Sequence, residues 1–270
     1  MELKIVRTFI PHPGNLSKNI EFFWSEPSGK NKLPVIILIH GHHPTLRLGG
    51  RNDLVTGIFE FFADNGMISV SMSQPGYGCS DGPPDYCGPH SQDAVSAIID
   101  YLSTKDFVDT DRIAIHGWSR GANVAAIAAS RDPRIKLAVL GAGLYDMLEG
   151  YNDLGEGIRK SLSIESDGSK DALTARSPIY HVDNLNVPLL LIHGAKDPVA
   201  SPIYARKMHE KALVLKKDVT LKMFDQYEHA VPLHTIAELS GEFLVEKGFI
   251  KSITTPYRLN HFEPTQGAKK

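Results

Sequence analysis

The sequence predicts an α/β protein: a mostly parallel central sheet flanked by helices on both faces, with antiparallel N-terminal strands and a short cap insertion. Three observations predict it. Strand-like and helix-like segments alternate from residue 34 to residue 247, a rhythm that calls for parallel crossovers. The strand segment at 34–39 is apolar throughout and that at 187–193 is apolar up to its closing histidine, as strands buried on both faces are. Finally, Gly117-Trp118-Ser119-Arg120-Gly121 separates a β-branched apolar run at 112–116 from an alanine-rich run at 122–129. That is a glycine-flanked serine on a strand-to-helix turn.

Taken in order, residues 3–10 and 19–26 read as two strands joined by a turn at 11–15, an antiparallel hairpin at a sheet edge. Residues 27–31 are a loop before the buried strand 34–39, which ends in His40-Gly41-His42-His43-Pro44. Leu54, Ile58, Phe61 and Phe62 stand at helical spacing, so residues 52–65 are expected to form one helix closed by Asn65-Gly66. A strand at 67–72 precedes a long loop rich in glycine and proline, residues 74–89, and a helix at 90–104. After the serine turn come a strand at 135–140 and a polar stretch at 144–181 that breaks the rhythm, the natural place for a small helical cap. A strand at 187–193, a helix at 201–215, a strand at 219–224 and a helix at 232–247 complete the alternation. The tail, 253–270, is expected to be loosely held. One domain over residues 1–270, with the cap at 144–181, is the simplest organisation.

The composition excludes several classes. The chain of 270 residues is 42% hydrophobic and 22% charged, with a formal net charge of −2. There is no basic excess to hold nucleic acid, and no apolar run approaches the roughly 20 residues of a membrane span. The first residues lack the apolar core of a signal peptide, so a cytoplasmic location is expected. Cys79 and Cys87 stand close enough for a local disulfide, but free thiols are expected without export. No Cys or His pair stands at ligand spacing, and no metal or organic cofactor is implied.

In a parallel sheet, functional groups gather past the C-terminal ends of strands. Ser119 follows one strand, Asp197 follows the strand ending at His193, and His229 follows the strand ending at Phe224. Serine, acid, histidine in that order defines a chemistry. A hydroxyl is a poor nucleophile at neutral pH; an imidazole takes its proton, and a carboxylate fixes the imidazole's tautomer. The backbone N–H groups of Arg120 and His42 are the expected donors to the oxyanion. Asp225 and Asp146 compete with Asp197, and His234 with His229, while His40, His116 and His193 are expected in packing. Tyr77, Tyr86, Tyr145 and Tyr151 border the expected mouth and are candidates for substrate contact. The Arg120 side chain either binds a substrate carboxylate or forms structural ion pairs.

These segments resemble the α/β-hydrolases, and among them the catalytic domain of the prolyl oligopeptidase family and related small esterases. The resemblance rests on residues 40–44, 74–82, 108–121, 177–199 and 228–230 and spans roughly 34–247. It implies Ser119 as nucleophile, Asp197 as acid and His229 as base. Larger members carry an N-terminal β-propeller, for which this chain has no room. The family's elbow often has an aromatic where Arg120 stands, and its oxyanion loop a glycine where His42 stands. The expectation is therefore a serine hydrolase acting on a small carboxylic ester. A peptidase of short peptides is the alternative, and a non-catalytic binding protein on the same fold the third reading.

Overall fold

Alternate residues of the central strands face two different layers of helices. In the computed structural model, which describes residues 3–29, 31–43 and 46–259, β3 (Leu33–Ile39) turns Val35, Ile37 and Ile39 to one core. Ile36 and Leu38 of the same strand turn to the other. Burial on both faces explains why these segments read as unbroken apolar runs.

The sheet has eight strands. An antiparallel edge is made by β1 (Lys4–His12) and β2 (Asn15–Glu26), and β2 pairs antiparallel with β4 (Ile68–Met72). From β4 onward pairing is parallel, through β3, β5 (Val108–Trp118), β6 (Ile135–Gly141), β7 (Leu189–Gly194) and β8 (Val219–Phe224). The hairpin is longer than expected, because only Pro13 and Gly14 are left for the turn.

One helical layer holds α1 (Arg51–Thr56), α2 (Ile58–Asp64) and α8 (Leu233–Glu246). The other holds α3 (Pro89–Ser103), α4 (Arg120–Arg131) and α7 (Pro202–Val214). The single helix expected at 52–65 is two. Gly57 adopts φ 79° between them, a left-handed conformation that ends α1 and redirects the chain.

The segment between β6 and β7 forms α5 (Glu156–Glu165), α6 (Lys170–Thr174) and three short 3-10 turns. Asn123 of α4 ties it down near both ends. Its amide donates to the carbonyls of Leu144 (2.8 Å) and Arg176 (3.0 Å) and accepts from the Leu144 N–H at 2.9 Å. The start of the tail is anchored, contrary to the sequence expectation. Asn65 Oδ1 accepts the backbone N–H groups of Thr254 and Thr255 at 2.8 and 3.0 Å. Residues 260–270 of the tail, like Pro44 and Lys30, lie outside the described residues. Both cysteines are free, Cys79 exposed and Cys87 buried.

Candidate active site

The chain order places β4 on one side of β3 and β5 on the other. A crevice opens at such a reversal, above the C-terminal ends of the strands. Ser119 caps β5 there with φ 53° and ψ −122°, a strained conformation for a residue with a side chain. The turn is possible because its neighbours lack a Cβ. One on Gly117 would meet the backbone of Gly121, and one on Gly121 would meet the Ile39 carbonyl of β3. The Ser119 N–H donates to Gly141 O of β6 at 2.7 Å, which pins the turn to the sheet.

Two further loops converge on Ser119 because they pack against each other. Ala195 N–H donates to Phe224 O (2.8 Å) and Lys196 N–H to Tyr227 O (3.1 Å). Gly194 lies so close to the carbonyls of Tyr227 and Glu228 that a side chain would not fit. His229 is thereby held with Nε2 3.0 Å from Ser119 Oγ and Nδ1 2.8 Å from Asp197 Oδ2.

The Asp197 side chain has no exposure. Its Oδ1 accepts the backbone N–H groups of Val199 and Ala200 at 2.8 and 2.9 Å. Burial pushes its carboxyl up, but hydrogen bonds from His193, His229 and Ala200 outweigh it and hold the group below the usual carboxylate range. His193 is a residue that sequence reasoning assigned to packing alone. Its Nε2 lies 2.8 Å from Ala200 O and 3.2 Å from Asp197 Oδ2. The carbonyl can only accept, so Nε2 carries the proton and the carboxylate shares it. The spacing of His193 and Asp197, four residues apart across a strand end, was the available signal.

The competing residues are occupied or distant. Asp225 and His234 are exposed. Asp146 is buried and caps its own turn, accepting from the N–H groups of Leu148 (3.1 Å) and Glu149 (2.9 Å).

The loop after β3 is fixed by His40. Its Nδ1 lies 2.7 Å from Gly41 O, so that nitrogen bears the proton, and Nε2 accepts Gln74 N–H at 3.1 Å. Burial drives His40 down to about 3 and His116 to about 4. His42 and His43 are lowered too, first by burial and then by neighbouring charge. Four imidazoles near Ser119 are thus neutral at neutral pH and add no cation beside it. Arg120 occupies the first position of α4, where helix geometry leaves the N–H without an intrahelical acceptor.

The Arg120 side chain is fully buried. Nε donates to Gln74 Oε1 (3.1 Å), and Nη1 to Tyr77 Oη (3.2 Å) and Glu165 Oε2 (3.1 Å). Its guanidinium carbon lies 5.0 Å from the Tyr77 ring centre and 4.8 Å from that of Tyr86. Of the two destinations the sequence left open, the structural ion pair is the one observed.

The same burial corrects the tyrosines. Tyr77 and Tyr86 are consumed by Arg120, and Tyr145 donates to Leu140 O at 3.0 Å, all three being enclosed in the core. Tyr151 is half-buried, and none of the four borders the cavity beside Ser119. That cavity, about 250 Å³, lies on the α1–α8 side and is lined by Ser119, His229, Trp118, Ile58, Leu233 and Ile236 among others.

A strand-turn-helix serine, hydrogen-bonded to a histidine at the topological switch of a mostly parallel sheet, defines the class of serine hydrolases with the α/β-hydrolase fold. The chain belongs to the prolyl oligopeptidase family, whose model matches residues 85–243. Bacillus subtilis (strain 168) has a similar protein, the uncharacterized peptidase YtmA. The two are 27% identical over 175 residues, 63% of this chain and 68% of that one. The Pyrococcus horikoshii acylaminoacyl peptidase superposes with TM-score 0.74 at 19% identity, covering 90% of this chain and 41% of that one. The Pyrococcus furiosus esterase Pf2001 superposes with TM-score 0.68 at 18% identity, covering 90% and 93%. At these identities the two structures show the shared fold. The chain thus spans less than half of the acylaminoacyl peptidase, and 42% of a relative from Escherichia coli. Among the described residues no helix is long and apolar enough to cross a membrane.

Proposed function

We propose that the protein hydrolyses a carboxylic ester of a small substrate through an acyl-enzyme on Ser119. The observation that carries this reading is the hydrogen-bonded chain from Ser119 Oγ to His229 at 3.0 Å and from His229 to Asp197 at 2.8 Å. His229 Nε2 takes the hydroxyl proton as Oγ attacks the acyl carbon. The oxyanion receives the backbone N–H groups of Arg120 and His42. Asp197, kept ionised by its donors, balances the imidazolium. His229 then protonates the leaving alkoxide as the ester C–O bond breaks. A water repeats the attack with His229 again as base and releases the acid and Ser119.

The preference for an ester is supported by the small cavity beside Ser119 and by His42 standing in the oxyanion loop. A second reading, hydrolysis of a peptide bond in short peptides, is favoured by membership of a family named for oligopeptidases and runs through the same steps with an amine leaving. The test is turnover of p-nitrophenyl acetate beside a panel of short peptide anilides, by wild type and Ser119→Ala. Ester turnover abolished by the substitution supports the first reading. Peptide turnover alone supports the second, and turnover surviving in Ser119→Ala overturns both.

A further inference from the structure

The cavity beside Ser119 has apolar walls and several buried polar groups in its lining. Asp53 of α1 lines it, and the residue is 8% exposed. Oδ2 accepts the Ser71 hydroxyl at 2.5 Å and the Asn52 side chain also hydrogen-bonds the carboxylate, yet among the described residues no cation stands within ion-pair distance. Burial lifts the carboxyl to about 6, which leaves it mostly ionised at neutral pH. An ionised carboxylate enclosed without a counter-charge is costly and is rarely left so.

Two imidazoles complete the polar lining. His116, 6% exposed, lines the same cavity, and its Nε2 has no hydrogen-bond partner. In the tautomer with its proton on Nδ1, Nε2 is a bare acceptor facing the cavity. The buried Nδ1 of His43, in the same lining, is also without a partner. Carboxylate and acceptor nitrogen together ask for a ligand that brings donors and positive charge. Burial already disfavours the Asp53 charge, so an entering cation regains part of that cost while supplying its own desolvation. The volume of about 250 Å³ falls below the roughly 300–1,000 Å³ of sites for drug-sized ligands, so the group is short.

We propose that this cavity is a subsite for a short substrate arm ending in a primary ammonium, which donates its N–H groups to Asp53 and to His116 Nε2. The substrate class is thus an amino-bearing ester, a refinement that rests on ester hydrolysis at Ser119. The walls, Ile58, Trp118 and Ile236, take the methylenes between the ammonium and the reacting carbonyl.

The test is binding to the Ser119→Ala protein, which needs no turnover. Calorimetric titration with n-butylammonium chloride, n-butanol and n-butyltrimethylammonium chloride separates the contributions of charge and donors. The primary ammonium is expected to bind about tenfold more tightly than the alcohol, as a charge-assisted hydrogen bond to a buried carboxylate allows. The quaternary cation, lacking N–H, is expected to lose that advantage. Adding Asp53→Asn is expected to erase the preference. Equal or tighter binding of the alcohol, or a preference that survives Asp53→Asn, overturns the proposal. If Asp53→Asn does not fold, the comparison of ligands on the parent protein decides alone. Failure of p-nitrophenyl acetate turnover in wild type would instead sink the ester reading and leave this binding result standing.

Discussion

Arg120 and Glu165 form a buried ion pair, with Nη1 3.1 Å from Oε2 and side-chain exposures of 0% and 6%. The pair joins the residue after the candidate nucleophile to the last residue of α5, in the segment between β6 and β7. Glu165 Oε2 also accepts the Tyr86 N–H at 2.9 Å, so one carboxylate holds three segments together.

Removing Glu165 strands the guanidinium in the interior. Glu165→Ala is expected to lower unfolding stability by about 3–5 kcal/mol, the range for breaking one side of a buried pair. Glu165→Gln keeps an oxygen for Nη1 and is expected to lose less. Urea denaturation measures both, and a loss below about 1 kcal/mol for the alanine variant would match a surface pair instead.

The proposed triad gives the sharpest kinetic expectation. Ser119→Ala and His229→Ala should each lower kcat on p-nitrophenyl acetate by at least about 10⁴-fold, since members of such a unit fail together. Asp197→Asn should fall by about 10⁴-fold, because the amide favours the wrong imidazole tautomer. Circular dichroism of Ser119→Ala should match wild type.

Two buried carboxyls are displaced in opposite directions, and their pH signatures differ in sign. Asp53 is raised to about 6 by burial, above its unfolded value. The native state then holds the proton more tightly, and stability falls as pH rises from about 4 to the folded value. Asp53→Asn is expected to raise the melting temperature at pH 8 and leave it unchanged at pH 4. The gain is at most about 3 kcal/mol, each tenfold change in proton affinity being worth about 1.4 kcal/mol. Asp197 is lowered, so it contributes stability above about pH 4 that is lost as pH falls through its folded value. Asp197→Asn should therefore destabilise at pH 8, with the gap from wild type narrowing in acid. Thermal melts at pH 4, 6 and 8 check both.

Glycines in this chain divide by what surrounds them. A Cβ on Gly117 would meet Gly121 C at 2.5 Å and Ala122 N at 2.7 Å. Gly117→Ala should destabilise by about 1–3 kcal/mol or more and displace Ser119, so activity falls with the melting temperature. Gly157, in α5, has nothing within 4 Å. Gly157→Ala should stabilise by up to about 1 kcal/mol through helix propensity. Melting curves of the two variants should move in opposite directions.

The sheet was legible because its strands are buried on both faces, and an apolar run such as 34–39 has no other soluble use. The order of Ser119, Asp197 and His229 was legible because each closes a strand in a topology that leaves little choice of where strand ends meet. The break at Gly57 was not, since the apolar spacing of Leu54, Ile58 and Phe61 continues across it and only φ reveals the turn. The role of His193 beside Asp197 was missed because a histidine ending a buried strand also satisfies a packing reading.

By itself the sequence determined the succession of strands and helices along the chain and the residue types at the site. Local patterning does that, through periodicity and through glycines that alone can turn a strand sharply into a helix. Tertiary structure decided what distant chain segments share. It placed the Arg120 side chain against Glu165, 45 residues away, and withdrew Tyr77, Tyr86 and Tyr145 into the core. It also brought the buried Asp53 carboxylate and the unpartnered Nε2 of His116 to the lining of one cavity. Burial sets the charge state and the unmet hydrogen bonds of these groups, and burial is a property of the folded surroundings, not of neighbours in sequence.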